Sequence, residues 1–310
     1  MQWVVLLVLV GIVILCVLMK KNKISFRPNS SLDKDLFEAV SGPLVMDVGY
    51  VGPGNVEKVK RLLQRGANPK ATLAHGSTLL MRAKSSNLEM IKTLLAAGVD
   101  VNRQDNFGNT ALMLHLENPE AVKLLLQAGA QVQITDQKGN NALMRAGKKG
   151  LAETVRLLLE AGTSVEQTNK QGQTALMLAC SLTLNPMFPS RGVRACNEGH
   201  LATVQSLLQY NAPLNAQDKS GKTALMYAVQ LADLAEGRFI LSACGKSGEW
   251  VQLVRLLLEK GAQVNCKDKA GKTALDYALA AKQGLPDGLK RMEQELEQII
   301  TILKSAEENK

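Results

Sequence analysis

The chain is 310 residues long, carries a formal net charge of +9 at pH 7 and contains only 4% aromatic residues. Length alone would suggest two globular domains of about 150 residues each. The few aromatic side chains predict thin packing of Leu, Ala and Val between short helices. The positive charge suggests an acidic partner or surface. No aromatic side chains alternate with the basic ones, which argues against a nucleic-acid-binding protein.

The N-terminal stretch WVVLLVLVGIVILCVLM, residues 3–19, contains no charged side chain. As a helix it would extend about 26 Å, enough to cross most of a bilayer core. A cleaved signal peptide would need basic residues before this stretch and a small-residue cleavage site after it, and the sequence has neither. We therefore predict that residues 1–23 form a transmembrane anchor with a basic flank. Because Lys20, Lys21, Lys23 and Arg27 follow the span, the positive-inside rule predicts a single-pass membrane protein with its remaining residues in the cytoplasm.

A short linker, residues 24–34, is predicted to lead into an internally repetitive region, residues 35–310. The repeated unit is clearest as GAQVNCKDKAGKTALDYA, from Gly261. Further copies begin at Asn211, Gly162, Gly129, Gly98 and Gly66. In each copy a second glycine follows ten residues after the first position. Two residues beyond that glycine stands a Thr or Asn: Thr78, Thr110, Asn141, Thr174, Thr223 or Thr273.

Each copy follows an apolar pattern that ends in two leucines, for example Val155, Leu158 and Leu159. This spacing places the three side chains on one face of a helix. The glycine or asparagine three residues later suits the left-handed conformation that ends helices. The Thr or Asn suits a helix N-cap, whose side-chain oxygen accepts a free backbone N–H. Each unit therefore predicts a helix, a stop, a turn or finger, a cap and a second helix.

These residues resemble the ankyrin repeat family. The motif G-x-T-A-L-M-x-A matches the family's G-x-T-P-L-H-x-A at a period near 33 residues, and the likeness covers roughly residues 35–305. The resemblance implies an all-α, ankyrin-type helix-turn-helix solenoid with β-turn fingers, preceded here by one transmembrane helix. It implies about seven units, two of them terminal caps. Ala and Met replace the family's Pro and His, which removes a pre-set helix start and a polar tie.

Two neighbouring units carry insertions. In three units, the N-cap residue is separated from the second leucine of the same unit by 16 to 18 residues. In the units that start at Thr174 and Thr223, this separation is 34 and 35 residues. The insertions, near residues 181–195 and 230–246, are predicted to emerge side by side on the edge opposite the fingers. They contain side chains of types enriched in interface cores, which we predict to contact a partner: Met187, Phe188, Arg191, Arg194, Arg238 and Phe239. Neutral surface decoration is the alternative.

Four of the six fingers carry a lysine at the tip: Lys138, Lys170, Lys219 and Lys269. A lysine at the same place in each would form a basic ridge along one edge and attract an acidic protein surface or anionic headgroups. The alternative is that these are ordinary solvated turn residues. Nearby carboxylates, three residues before each glycine, are interpreted as turn formers: Asp105, Asp136, Asp218 and Asp268.

Two short motifs suggest chemistry but lack essential residues. Ser220–Thr223 and Ala270–Thr273 resemble the end of a phosphate-binding P-loop, yet the glycine required five residues earlier is absent, so we interpret both as helix caps. Cys180, Cys196 and Cys244 lie near the insertions with His200, but without the paired C-x-x-C spacing of a zinc site. We therefore expect neither a cofactor nor a metal.

Together these patterns predict a non-catalytic protein–protein interaction scaffold tethered to a membrane through residues 3–19, with no small-molecule substrate and no nucleic-acid partner. Two alternatives remain open. An enzyme, or an enzyme-supporting subunit, would build its site at the insertions from Cys180, Cys196, His200, Arg191 and Arg194. A purely structural spacer at the membrane would bind nothing at either edge.

Overall fold

The computed structural model describes residues 31–41, 54–181, 198–230, 248–285 and 290–308. The described residues contain fourteen α-helices and a single isolated β-bridge, between Thr72 and Thr78. They divide into two compact units: unit 1 ends at His115, and unit 2 begins at Leu116.

Unit 1 contains five of these helices: α1 (Ser31–Ser41), α2 (Val56–Gln64), α3 (Leu79–Arg82), α4 (Leu88–Ala96) and α5 (Ala111–Leu114). Helices α1, α3 and α5 stack in one layer, and α2 and α4 form a second layer against them. Leu36, Leu80 and Ile91 are fully buried between the layers. Helix α1 begins four residues before the predicted start of the repeats. Its buried Asp33 accepts a 2.7 Å hydrogen bond from the N–H of Asn68.

Unit 2 contains the other nine described helices: α6 (Pro119–Gln127), α7 (Ala142–Lys148), α8 (Ala152–Glu160), α9 (Ala175–Cys180), α10 (Glu198–Gln209), α11 (Ala224–Val229), α12 (Glu249–Glu259), α13 (Ala274–Gln283) and α14 (Lys290–Glu308). Helices α7, α9, α11 and α13 stack as an inner layer. Helices α6, α8, α10, α12 and α14 form the outer layer. Leu158, Leu207 and Leu257 in the outer layer are fully buried, so the leucine pattern does form the packed face.

The predicted helix stops and caps are both present. All six stop positions are left-handed, including Asn211 at φ +59° and Gly162 at φ +83°. All six cap side chains accept a hydrogen bond from the backbone N–H three residues later. Thr174, for example, accepts one from Met177 at 3.3 Å. The cap oxygen pairs a backbone N–H that has no partner within the helix. The helices therefore start correctly although Ala stands where the family has Pro.

The last helix, α14, packs its apolar face against α12 and α13. Met292, Leu296 and Ile299 are buried on this face. Glu295 is also buried, and it accepts hydrogen bonds from the N–H of Gly248 at 3.1 Å and from Arg291 Nε at 3.3 Å. Its charge is therefore compensated where it leaves water.

Within the described residues, no helix is both long and apolar enough to cross a membrane. The predicted transmembrane segment, residues 3–19, lies outside the described residues.

Candidate protein-binding surface

The fingers, which run from each helix stop to the next N-cap, are held by an internal hydrogen-bond pattern. In five of the six fingers, three residues before the second glycine stands a carboxylate or amide whose Oδ1 accepts the backbone N–H groups two and four residues later, at 2.8 to 3.0 Å. The residues in this position are Asp105, Asp136, Asn169, Asp218 and Asp268. The interpretation of the aspartates as turn formers is therefore confirmed.

Three of these aspartates also bind a side chain on the inner helix that follows, nine residues later. Arg145 Nη2 lies 2.6 Å from Asp136 Oδ2. The hydroxyl of Tyr227 donates to Asp218 at 2.7 Å, and that of Tyr277 donates to Asp268 at 2.6 Å. These ties attach finger to helix in a chain that lacks the histidine of the family motif. The sequence analysis missed them, although the spacing of nine residues could have revealed them.

These contacts shift the pKa of the groups involved. Burial alone would raise the pKa of Asp136, but the Arg145 guanidinium and the N–H of Asn140 outweigh it and hold the pKa below its usual range. The pKa of Asp218 is likewise lowered, because hydrogen bonds from Tyr227, Ser220 and the turn N–H groups outweigh burial. Burial and the Asp218 carboxylate raise the pKa of Tyr227 to about 12. The aspartates therefore stay ionised and the tyrosines protonated at neutral pH, as these hydrogen bonds require.

Neighbouring fingers of unit 2 are joined at their tips by backbone hydrogen bonds. The N–H of Lys170 donates to the carbonyl of Lys138 at 3.0 Å. The same bond recurs from Lys219 to Gln171 and from Lys269 to Ser220, each at 2.9 Å. The finger tips therefore form one continuous row.

The glycine near each tip provides the contact surface for the next finger. A Cβ atom placed on Gly172 would lie 2.9 Å from the backbone nitrogen of Lys219 and 3.2 Å from its Cγ. Gly139 has the same relation to Lys170, at 2.8 and 3.2 Å. Glycine is therefore required at these positions for two reasons: the backbone has a positive φ, and the lysine of the next finger approaches too closely for a side chain.

The structure corrects the predicted register of the finger lysines. Lys170, Lys219 and Lys269 occupy equivalent positions, each two residues before its glycine and each donating the bond that joins the tips. Lys138 stands one residue later in its finger and contributes its carbonyl instead. The row therefore holds three lysines in register, with a fourth displaced by one position.

All four tip lysines are exposed, and none forms an ion pair with another described residue. Several other cations of unit 2 are paired, for example Lys123 with Glu120 at 2.7 Å and Lys149 with Glu117 at 2.9 Å. Arg156 lies between Glu153 and Glu160. The four tip lysines therefore remain available to a partner, as do other exposed cations such as Arg255 and Lys260.

Two further lysines extend the basic surface below the last two tips. Lys222 Nζ lies 4.9 Å from the ring centroid of Tyr277, and Lys272 Nζ lies 5.7 Å from the same centroid. Such distances are typical of cation–π contacts. Both residues lie just after the glycine of their finger, as the repeated G-K-T sequence suggests, and each finger's N-cap threonine follows. This placement confirms the interpretation of the two P-loop-like motifs as helix caps.

The insertions leave the described fold at adjacent places. One follows the end of α9 and precedes α10, and the other follows α11 and precedes α12. Because α9 packs on α11 and α10 packs on α12, their attachment points lie on neighbouring helices. The six insertion residues predicted to contact a partner, Met187, Phe188, Arg191, Arg194, Arg238 and Phe239, lie outside the described residues.

Two of the residues considered for an enzyme site can be placed. Cys180 is fully buried at the end of α9, and burial raises the pKa of its thiol, which disfavours the thiolate needed for attack or for metal binding. His200 packs its ring against Gly150, with Nε2 3.4 Å from the carbonyl of Lys148. Arg191, Arg194 and Cys196 lie outside the described residues. Among the described side chains, no group of three His, Cys, Asp or Glu could hold a metal ion.

The family comparison agrees with this architecture. A family model described as ankyrin repeats (3 copies) matches residues 50–136 and 115–186. A second model, described as ankyrin repeats (many copies), matches residues 193–234 and 240–284. The chain therefore belongs to the ankyrin repeat family, with an all-α ankyrin repeat solenoid fold. Ankyrin repeats are in general protein–protein interaction modules, typically without catalytic activity.

Solved structures show the same fold. The human ASB11 ankyrin repeat domain is 20% identical over 87% of this chain and 97% of its own, with a TM-score of 0.58. An ankyrin repeat domain from Acinetobacter baumannii AYE is 27% identical over 73% of this chain and 97% of its own, with a TM-score of 0.52. Comparison with curated protein sequences gives no match.

Proposed function

We propose that the protein is a non-catalytic interaction scaffold that is tethered to a membrane and binds another protein through its repeats. The observation that carries the proposal is the row of finger tips in unit 2, where backbone bonds of 2.9 to 3.0 Å fix exposed lysines that form no ion pair with another described residue. A preorganised surface loses little conformational freedom on binding, which favours affinity.

The membrane tether is proposed from the sequence. Residues 3–19 are apolar throughout, and the lysines follow them. This arrangement favours a single-pass anchor with the repeats on the cytoplasmic side. A C-terminal tag would then be protected from protease added to intact cells, whereas its digestion would show that the topology is inverted.

The insertions are proposed as the second contact region. Closing a longer loop costs only about 0.6 kcal/mol per doubling of length, so stability gives no reason for two neighbours to gain nearly equal lengths. Their attachment to neighbouring helices would present Met187, Phe188 and Arg191 of the first insertion close to Arg238 and Phe239 of the second. A loop on a rigid support is a common position for binding specificity.

Cross-linking in native membranes, followed by identification of the captured protein, tests the proposed function. Trimming both insertions to the connection length of the Thr110 unit should abolish capture while the helical circular dichroism stays unchanged. Replacing the four tip lysines by Gln should weaken capture less, and mainly at low salt. If the trimmed protein captures its partner normally and the lysine variant does not, the insertions are not the specific surface. If the unaltered protein captures nothing, the scaffold proposal itself is wrong.

A further inference from the structure

The fingers of unit 2 differ from the rest of the unit in the balance of their exposed charge. They contain seven lysines: Lys138, Lys170, Lys219, Lys222, Lys267, Lys269 and Lys272. Of their four acidic residues, three are the buried turn aspartates, whose carboxylates bind backbone and side-chain donors within the fingers. Only Glu166 is exposed. Seven lysines against four carboxylates give the fingers of unit 2 a net charge of +3, and none of the four tip lysines forms an ion pair with another described residue.

The spacing of the lysines along this edge follows from the backbone bonds. From the nitrogen of Lys170, the path to the nitrogen of Lys219 runs through Gln171 and across one 2.9 Å hydrogen bond. Two residues span at most about 7 Å, so the two nitrogens are at most about 10 Å apart. Stacked helices are separated by about 8–10 Å, which gives the same interval. The step from Lys219 to Lys269 is built identically.

This interval fits one type of extended chain. In a polyproline II helix every third residue returns to the same face, after a rise of about 9 Å. In a β-strand, alternate residues on one face are only about 7 Å apart and would fall out of step with the lysines. An α-helical ligand would ordinarily dock an apolar face into a groove. Among the described residues of unit 2, the large exposed hydrophobic side chains are Tyr210 and Leu279, and neither lies in a finger.

We infer that the finger edge of unit 2 binds an extended acidic protein segment with a carboxylate at every third residue, each carboxylate facing one of Lys170, Lys219 and Lys269. This inference rests on the proposed function and specifies the chemistry of one part of the partner. The Cγ atoms of Lys170 and Lys219 lie against the preceding finger, at Gly139 and Gly172, so the first part of each lysine stem is held in place. Lys222 and Lys272 add positive charge beside the last two tips.

The test measures binding of fluorescent synthetic peptides to the full chain by anisotropy. The probe is a peptide of about nine residues with Glu at every third position and Pro between. The matched peptide has the same composition with its glutamates adjacent. We expect the regularly spaced peptide to bind about tenfold more tightly, and its affinity to fall as the salt rises from about 0.05 M to about 0.3 M.

Two charge-matched variants locate the site. The tip variant K170Q/K219Q/K269Q should lose about tenfold in affinity for the spaced peptide at low salt. The control K123Q/K149Q/R156Q removes the same charge from paired cations elsewhere in unit 2 and should bind like the unaltered chain. Helical circular dichroism and the thermal midpoint of each variant report whether it is folded.

Three outcomes would overturn the inference: equal affinity of the two peptides, equal affinity of the tip variant and the control, or binding to phosphatidylserine vesicles but not to the peptides. The last would assign the surface to lipid headgroups. None of these outcomes affects capture of a protein through the insertions, so the proposed function can stand if the inference fails. Conversely, a chain that binds the spaced peptide but captures no protein in its membrane would contradict the proposed function alone.

Discussion

Replacing Gly172 by Ala should destabilise unit 2 considerably more than replacing Gly162 by Ala. Both glycines are left-handed, at φ +78° and +83°, so both alanines incur the conformational cost of about 1–2 kcal/mol. At Gly162 the new methyl group meets nothing within 4 Å. At Gly172 it would lie 2.9 Å from the backbone nitrogen of Lys219 and must displace the next finger. Displacement breaks the bond from Lys219 to Gln171, which contributes about 1 kcal/mol, and disturbs the contact around it.

We therefore expect a loss of about 1–2 kcal/mol for Gly162→Ala and about 3 kcal/mol for Gly172→Ala. Urea unfolding followed by helical circular dichroism measures both, and the comparison of midpoints holds as long as the slopes of the two transitions agree. Equal midpoints would show that the finger tips are not in contact in solution. That result would also remove the fixed lysine spacing on which the peptide experiment depends.

Replacing Gly162 by Val should cost more stability than replacing Asn211 by Gly, because the first forces a β-branched residue into a left-handed conformation while the second relaxes one; equal melting temperatures would contradict the helix-stop assignment. Burial lowers the pKa of His115 in the folded chain, so as the pH falls the unfolded chain binds the proton first. Stability should therefore fall as the pH drops below about 6.5, the usual pKa of a histidine side chain. The fall should be shallower in His115→Gln, and an unchanged pH profile would show that His115 is not buried in its neutral form. Deleting residues 1–23 should give a soluble, folded domain, and recovery only in the membrane fraction would exclude the anchor.

His115 illustrates how a buried polar group is accommodated in unit 1. Its Nε2 lies 2.8 Å from the carbonyl of Leu80 and its Nδ1 lies 2.9 Å from the hydroxyl of Ser85. Because a carbonyl can only accept, Nε2 carries the proton and Nδ1 accepts from Ser85 in the neutral ring. Both partners lie at least 30 residues away in the sequence. The structure therefore gives His115 a packing role.

Features fixed by hydrogen bonds between near neighbours in the chain could be predicted from the sequence alone. The N-cap of Thr174 and the turn made by Asp218 each involve partners no more than four residues away. The left-handed stop at Asn211 depends on the conformational preference of a single residue. Because the same local pattern occurs six times, it also identified the repeat family and with it the fold.

The arrangement of the candidate surface depended on the tertiary structure. The bonds that join the finger tips connect residues 32 to 49 positions apart, and this separation changes with the insertions. The sequence analysis grouped Lys138 with the other tip lysines although it stands one residue closer to its glycine, and the bonds between fingers show what that difference means: Lys138 supplies a carbonyl, whereas Lys170, Lys219 and Lys269 supply the N–H. The sequence also could not show which cations are neutralised, because ion pairs such as Lys149–Glu117 join positions 32 residues apart. Which charges remain for a partner is therefore decided by the packing of one repeat on the next.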